Sequence, residues 1–362
     1  MLNIKKQLAK LYTSSVLGNL SLTGAWVAIL AARGYTLVEI GLAETVFHIV
    51  SLLFEIPSGV LADVFGRKKM LIISTLMRMI GCAVMIASQN LFMVCLSIAF
   101  IALSYNFSSG SGDALAYDSL KEAGQESRFE KYMSNQLVIY RLCSGLSTLC
   151  AGFALQIGHR IAYATDVFTG LIQLCLLFSL KEMCPGAAEK GKTILQKLLA
   201  CFRESFAFIR SAKKAFPLML CNSLVGAVDI LLLFFLQAKL PAKGIPAWAL
   251  GPALLALEMG GIVGSRLILK WKSIRYPRLF MLSCLLVLTG VLMEHSPSCL
   301  VMVLGGFLSA MADDALQVRT NAILQELFPS EQRATLTSVE SFTFSVIMIV
   351  LSPLAGFVFT LW

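Results

Sequence analysis

Long apolar runs fill most of this chain, and short polar stretches separate them. A helix needs about twenty apolar residues to cross the hydrocarbon core of a bilayer. Lipid cannot satisfy the backbone polar groups of an open strand, so each run of that length is predicted to be a spanning helix. The eleven predicted spans are 9–32, 37–62, 69–88, 91–117, 132–157, 161–181, 215–238, 247–270, 277–294, 298–320 and 334–361. The pattern predicts an all-α integral membrane protein.

One polar stretch is longer than the others and divides the predicted spans into six and five. It begins as KEMCPGAAEKGK and continues as TILQKLLACFRESFAFIRSAKK, where apolar residues recur with a helical period. The second part is predicted to be an amphipathic helix at the inner membrane face. We therefore expect an N-terminal six-helix bundle over 1–182, a cytoplasmic linker over 183–213 and a C-terminal five-helix bundle over 214–362.

A short motif indicates that the two bundles are related. The tripeptide DAL occurs at 113–115 in the fourth predicted span and again at 314–316 in the tenth, at corresponding places in the two bundles. Parallel repeats related by an axis along the membrane normal are a known transporter design. The sequence therefore predicts two parallel pseudo-repeated helix bundles.

Composition and charge fit this architecture. Of the 362 residues, 57% are hydrophobic and 14% charged, against about a quarter charged in soluble domains. The net charge of +9 forms no basic stripe with interleaved aromatic residues, so no nucleic-acid partner is expected. If the N-terminus is cytoplasmic, 23 of the 30 Lys and Arg residues lie at inner loops and helix ends and four lie outside. We expect a multi-pass plasma-membrane protein in that orientation.

The cysteines and histidines do not indicate a metal site or an enzyme. The ten cysteines are scattered without a CxxC pair and are interpreted as packing residues. The three histidines have no zinc-site spacing. No nucleophile triad or phosphate-binding loop occurs. We expect a protein that is not an enzyme and has no cofactor or metal.

The predicted inner loop between the second and third spans concentrates charge and glycine. It reads GVLADVFGRKKML over 59–71. Gly59 and Gly66 are expected to permit close helix approach and a tight turn. Asp63 could accept hydrogen bonds from the free N–H groups at a neighbouring helix start. The simpler interpretation is a positive-inside segment with a solubilising acid.

This loop resembles the signature of the major facilitator superfamily, roughly G-x-L-A-D-[RK]-x-G-[RK]-[RK]-x-x-L, with Val64 in place of the usual cation. The resemblance implies a transporter in which Asp63 meets the start of helix 11 near Ala334. In that arrangement Arg67 would pair with Asp118 at the inner end of the fourth span. The residues expected to form this conformational-switch motif are Gly59, Asp63, Gly66, Arg67, Lys68 and Asp118.

Two further stretches, FEIPS at 54–58 and YDSL at 117–120, resemble a drug-efflux-like bacterial branch of that superfamily. Two features depart from it: the fifth span has no Gly-Pro pair, and the fourth has no buried arginine. The resemblance also implies twelve helices. We therefore expect that the twelfth is missing by truncation, that the chain works with eleven, or that a partner replaces it.

Ionisable residues inside predicted spans are costly to bury, so each is a candidate for proton or substrate binding. They are Glu44, His48, Glu55, Arg78, Asp113, Arg141, Asp229, Glu258, Asp313 and Asp314. Glu44, His48 and Glu55 share one helix face because they are four and seven residues apart. That row could pass protons, or it could be a polar seam in which His48 is structural.

Asp113 and Arg141 lie on consecutive spans, toward the inner half of each. A structural salt bridge is one expectation, and a bridge that depends on protons or substrate is the other. Arg78 is a competing partner for the same acid. An anionic substrate held by Arg78 and Arg141 is also open.

The second bundle carries more acids than cations within its spans. Buried carboxylates require protons or cations. This surplus favours a small cationic or amphipathic substrate with proton coupling. The sequence therefore predicts a monomeric secondary transporter, first an antiporter that exports such a compound. The alternatives are proton-coupled uptake of a small metabolite and a truncated homologue that does not transport.

Overall fold

The computed structural model of the chain describes residues 3–183, 215–271, 273–327 and 333–361, without the side chains of 56, 63, 325 and 333–338. All regular secondary structure in these ranges is helical. The helices are α1 (Ile4–Asn19), α2 (Trp26–Ala32), α3 (Leu37–Phe65), α4 (Arg67–Ala87), α5 (Leu91–Ser108), α6 (Ser111–Glu122), α7 (Phe129–Leu149), α8 (Ala151–Ile157), α9 (His159–Phe178), α10 (Phe216–Ala242), α11 (Ala247–Lys270), α12 (Tyr276–Glu294), α13 (Cys299–Leu327) and α14 (Arg333–Val358).

Nine helical segments of the described chain are long and apolar enough to cross a membrane. Helices α7 and α8 meet at 51° and add a tenth span if they are counted together. The predicted all-α membrane architecture is therefore confirmed. The predicted amphipathic helix of the linker lies outside the described residues.

The first predicted span, 9–32, consists of two shorter helices, because residues 20–25 are not helical. Polar side chains stabilise this non-helical segment. The backbone N–H of Ser21 donates to Ser147 Oγ at 3.0 Å, and the hydroxyls of Ser21 and Thr23 both donate to Asp166 Oδ2. These contacts replace hydrogen bonds that a continuous helix would make along its own backbone.

Side-chain capping fixes the starts of several helices. At the start of α3, the backbone N–H of Thr36 donates to Glu39 Oε2 at 2.8 Å, and the backbone N–H of Glu39 donates to Thr36 Oγ1 at 3.3 Å. This reciprocal pair is a capping box. Asn90 caps α5 by accepting from the backbone N–H of Met93 at 3.0 Å. Each cap follows a polar turn between apolar runs, where the sequence predicts a helix end.

The chain divides into two compact units. Unit 1 comprises Met1–Gly24, Ile49–Ser147 and Ile157–Phe202. Within it α4 packs on α5 and α9, and α1 packs on α6 and α9. Leu115, Leu120 and Tyr132 are almost fully buried in its core.

Unit 2 comprises Ala25–His48, Thr148–Gln156 and Arg203–Trp362. Within it α11 and α12 pack on α13, and α10 packs on α13 and α14. Its core is centred on the buried side chains of α10, including Leu232, Phe235 and Leu236. Helix α3 therefore begins in unit 2 and continues into unit 1, and the change falls between His48 and Ile49.

Candidate functional site

The loop between α3 and α4 turns at Gly66, where φ is +96°. A Cβ at this position would lie 2.6 Å from Glu182 Oε2, so both the backbone conformation and the space require glycine. Glu182 Oε2 accepts from the backbone N–H of Lys68 at 2.9 Å, at the start of α4. An acid at a helix N-terminus satisfies free N–H groups and favours the helix dipole. Sequence reasoning missed Glu182, although its charge just after a predicted span was a usable signal.

The expected ion pair of this loop is present in unit 1. Arg67 Nε lies 3.2 Å from Asp118 Oδ2, and both side chains are partly buried. Lys68 has a different role, since its Nζ donates to the backbone oxygens of Phe178 and Leu180 at 2.8 and 2.7 Å. Those oxygens lie at the C-terminal end of α9, where cations are favourable. Arg67 and Lys68 therefore both join the loop to other parts of unit 1.

Two further predicted roles in this motif concern Gly59 and Asp63. A Cβ added at Gly59 would meet no atom of the described residues within 4 Å, so the close helix approach expected at Gly59 stays a prediction. The Asp63 side chain lies outside the described residues, and its expected contact with the start of helix 11 stays a prediction.

The end of α9 is held by the start of the chain as well. Gln7 Nε2 donates to Lys181 O at 2.8 Å, and the backbone N–H of Lys181 donates back to Gln7 Oε1 at 3.2 Å. Lys10 Nζ donates to Ser179 O at 2.7 Å. Because Gln7 is buried, this double hydrogen bond fixes α1 against the end of α9. The side chains were not predicted to be functional, since polar residues near the N-terminus have no distinctive pattern.

A cavity of about 340 Å³ lies inside unit 1. Its walls combine hydroxyl, amide and charged side chains from six helices, and Arg78, Asp113 and Gln136 are among them. Ser74 Oγ donates to Ser104 O at 2.7 Å across one wall. The volume lies at the lower end of the range typical of small-molecule sites. A cavity with walls of this polarity suits a polar molecule.

Arg78 lies at one part of the cavity wall. Its guanidinium donates from Nη2 to Gln173 Oε1 at 2.6 Å and from Nη1 to Gly18 O at 3.0 Å. Gln173 Nε2 in turn donates to Ser14 Oγ at 3.0 Å. No ion pair to Arg78 occurs among the described residues. A guanidinium has five N–H donors, so donors remain after these contacts.

Asp113 lies near the start of α6 and lines the same cavity. Within the described ranges, its carboxylate makes no hydrogen bond or ion pair. The salt bridge expected between Asp113 and Arg141 is therefore absent there. Arg141 is instead an exposed residue of α7. The correction has a simple cause: the two residues were matched by depth, but depth in an apolar helix does not fix the direction in which a side chain points.

Glu44 and His48 form a pair, as their spacing predicts. His48 Nε2 lies 3.1 Å from Glu44 Oε1, and His48 Nδ1 lies 3.3 Å from Ser345 Oγ on α14. Both side chains are buried, with 8% of Glu44 and 6% of His48 exposed. Glu55, the third residue of the predicted row, is in unit 1, and its carboxylate makes no hydrogen bond or ion pair in the described part of the chain. The row is therefore divided between the two units.

The acids of unit 2 lie on three helices. A Cβ on Gly226 of α10 would lie 3.2 Å from Asp313 Oδ1, and one on Gly261 of α11 would lie 2.2 Å from Asp314 Oδ2. Asp229 of α10 lies beside Ser309 and near Asp314. Two glycines thus leave room for two adjacent carboxylates of α13. Sequence reasoning found the acids but missed the glycines that accommodate them.

The other acids of unit 2 have polar partners. Glu258 Oε1 accepts from Thr148 Oγ1 at 3.1 Å, and Glu340 Oε1 accepts from Asn222 Nδ2 at 3.2 Å. A search of the described residues finds no group of three His, Cys, Asp or Glu side chains that could hold a metal ion.

One buried ion pair was not predicted. Glu294, at the end of α12, is fully buried, and its Oε1 lies 2.7 Å from Lys239 Nζ on α10. Lys239 Nζ also lies 5.2 Å from the ring centre of Phe359. His295 follows in the loop, where burial, helped by the charges of Lys239 and Lys243, lowers its pKa below the usual value. The sequence signal was weak, because Lys239 reads as an ordinary loop cation.

Comparison with known proteins agrees with this architecture. The model of the Major Facilitator Superfamily matches residues 11–353, nearly the whole chain. The chain belongs to the major facilitator superfamily. This member is 24% identical over 329 residues to the uncharacterized MFS-type transporter YxaM of Bacillus subtilis (strain 168), and the match covers 87% of this chain and 79% of YxaM.

Solved structures share the fold of this superfamily member at low sequence identity. A mutant of the nucleoside transporter NupG matches with a TM-score of 0.74 and 13% identity, over 96% of this chain and 90% of NupG. A mutant of the peptide transporter POT matches with a TM-score of 0.72 and 15% identity, over 97% of this chain and 88% of POT. The protein is thus a multi-pass membrane transporter and not an enzyme.

Proposed function

We propose that this transporter exports a small cationic or amphipathic compound in exchange for protons, by alternating access. The observation that carries the proposal is Asp113: a carboxylate on the wall of a cavity, with no ion pair in the described part of the chain. Tyr140, which is half exposed, lines the same cavity and offers aromatic surface to a cation. The acids Asp229 and Asp313 of unit 2 supply further groups that can exchange protons.

A drug-efflux-like assignment within the superfamily accords with this proposal. The FEIPS and YDSL stretches and the Asp113 carboxylate on the cavity wall support it. We further propose that the chain works as a monomer in the plasma membrane with a cytoplasmic N-terminus, because that orientation places most Lys and Arg residues inside.

A second candidate is proton-coupled uptake of a small polar metabolite. Arg78 and its partner Gln173 favour it, since they would hold an anionic or strongly polar group in the same cavity. Hydroxyl groups of Ser74 and Ser104 would suit such a molecule as well.

Transport into proteoliposomes with an imposed pH gradient tests the proposal. An acidic lumen drives accumulation of a fluorescent cation if the protein is an antiporter, whereas an acidic exterior drives accumulation of a polar metabolite if it is a symporter. Flux that is independent of both gradients would rule out proton coupling.

Matched variants locate the substrate. Asp113→Asn should lower cation transport about tenfold, the scale of a typical coupling between two sites. Glu122→Gln is the control, because Glu122 lies on the same helix but pairs with Lys181 at the surface. If Arg78→Gln abolishes transport and Asp113→Asn leaves it intact, the polar-metabolite candidate replaces the first.

A further inference from the structure

Helices α3 and α14 pack antiparallel within unit 2 in a close and regular contact. Cβ atoms added at Gly41 and Gly356 would lie 2.4 Å and 2.5 Å from backbone oxygens of the other helix. Thr45 Oγ1 lies 3.3 Å from Ile349 O. We call this contact the α3–α14 seam, and its matched pairs are Leu37 with Gly356, Gly41 with Ser352, Thr45 with Ile349, and His48 with Ser345.

The Glu44–His48 pair lies within this seam. Besides the Glu44 carboxylate and the Ser345 hydroxyl, the imidazole of His48 faces two aromatic rings, with ring centres 5.4 Å away for Phe47 and 5.6 Å away for Phe344. Water is largely excluded, since both members of the pair are buried. A buried carboxylate with a neutral imidazole has a net charge of −1, and such a charge is costly away from water.

Other ionisable groups near the seam have contacts of their own. Glu39, earlier on α3, caps the helix start through Thr36. Glu340 is the ionisable residue of α14 nearest to Ser345, and it accepts from Asn222 of α10. Farther along α10, Asp229 lies beside Ser309. In the described residues, no Lys or Arg forms an ion pair with Glu44.

We propose that Glu44 and His48 together form a proton-binding site, and that the bound proton favours the closed α3–α14 seam. With the proton, imidazolium and carboxylate form a neutral pair, whereas without it the seam encloses a net negative charge. The Ser345 hydroxyl can donate to a neutral imidazole or accept from an imidazolium, so it bonds in both states. Binding of the proton and closure of the seam therefore favour each other.

The position of the Glu44–His48 pair along α3 determines which segment of the helix the proton acts on. His48 is the last residue of α3 in unit 2, and Ile49 is the first in unit 1. A proton at this point acts on the segment of α3 that must separate from α14 if the seam opens. The inference rests on the proposed function, because it supplies the coupling step that proton-driven alternating access requires.

Hydrogen–deuterium exchange of the full-length protein in nanodiscs tests the proposal. Peptides covering 37–48 and 345–356 should exchange about fivefold more slowly at pH 6 than at pH 8, after correction for the intrinsic rate. Glu44→Gln should remove this pH dependence and keep exchange slow at both values, because the buried charge is gone. Glu340→Gln and His159→Asn are the matched acid and histidine controls, and both should retain the wild-type profile.

Two results would overturn the site: pH-independent exchange of the wild-type seam, or a wild-type profile in Glu44→Gln. If Glu44→Gln does not fold, His48→Gln decides, and it should move the midpoint of the profile by a pH unit or more; an unchanged midpoint overturns the proposal. The proteoliposome assay tests the proposed function independently of this site. Proton-independent flux with a pH-dependent seam would refute the proposed function alone, and proton-driven flux with a pH-independent seam would refute this site alone.

Discussion

Two sets of charged side chains, one in each unit, have different surroundings. In unit 1, Asp166 accepts from two hydroxyls, Arg78 donates to an amide and a backbone oxygen, and Arg67 pairs with Asp118. In unit 2, Asp229 and Asp313 lie close enough to influence each other electrostatically, and no described cation forms an ion pair with either. Fixed polar partners stabilise one arrangement, whereas neighbouring acids need a neutralising group that can arrive and leave. Under the proposed function, the fixed partners of unit 1 shape the cavity and the adjacent acids of unit 2 exchange protons.

The largest expected effect concerns the one described acid of unit 2 with a close lysine. Lys239→Met leaves the buried Glu294 carboxylate with only the longer contact to His295 Nδ1, at 3.5 Å from Oε2, so it should destabilise the protein by about 3–5 kcal/mol. Thermal unfolding in detergent measures this. The double variant Lys239→Met with Glu294→Leu should recover most of the loss. If the single variant is as stable as the wild type, the Lys239–Glu294 pair does not stabilise unit 2.

The next largest loss of stability is expected in unit 1, at the turn before α4. Gly66→Ala should cost about 1–3 kcal/mol, because alanine is strained at a φ of +96° and its Cβ would collide with Glu182. Gly59→Ala is the control in the same loop motif and should be nearly neutral, since no atom of the described residues lies within 4 Å of a Cβ there. Comparison of their melting temperatures decides the matter, and equal losses would contradict the assigned role of Gly66.

Proton exchange in unit 2 should depend on its adjacent acids. Asp313→Asn removes one of the carboxylates, so transport driven by a pH gradient should fall about tenfold while counterflow without a gradient is retained. Asp118→Asn in unit 1 should instead affect both modes alike, because it loses the Arg67 pair. Equal loss of both modes in Asp313→Asn would remove the contrast between the units.

The smallest effect follows from His295. Its pKa is lowered in the folded protein, so the folded state binds this proton less readily than the unfolded chain. Its contribution to stability is therefore present above the unfolded pKa, near 6.5, and is lost as the pH falls. His295→Asn should reduce the loss of unfolding free energy between pH 7 and pH 5 by about 0.5 kcal/mol or less. Melting temperatures at the two pH values measure this. A steeper decline in the variant would reverse the sign assigned here.

Hydropathy alone predicted most of the spans, because lipid restricts a crossing segment to one structure. The loop at 59–71 predicted the superfamily, and the Arg67–Asp118 pair followed from two charges at the same ends of neighbouring spans. Partnerships inside the bundles were less accessible. An apolar helix gives no amphipathic pattern to fix its rotation, which is why Arg141 was assigned to the interior although it is exposed.

Contacts between distant parts of the chain were also beyond sequence reasoning. The double hydrogen bond of Gln7 with Lys181 joins residues 174 positions apart, and neither residue type is unusual where it stands. The break after α1 depends on Asp166, more than 140 residues later. Local propensity contains no information about such partners, so the sequence predicted a continuous first span.

The α3–α14 seam also has a consequence for biosynthesis. Thr45 and Ile349 are separated by 304 positions, so the segment Leu37–His48 is made and inserted long before the surface it packs against exists. Translation at about 5–20 residues per second makes that interval at least about fifteen seconds. During it, the buried Glu44 and His48 must be accommodated by lipid, water or the insertion machinery. Docking of α14 onto α3 is therefore a late step in the assembly of this protein.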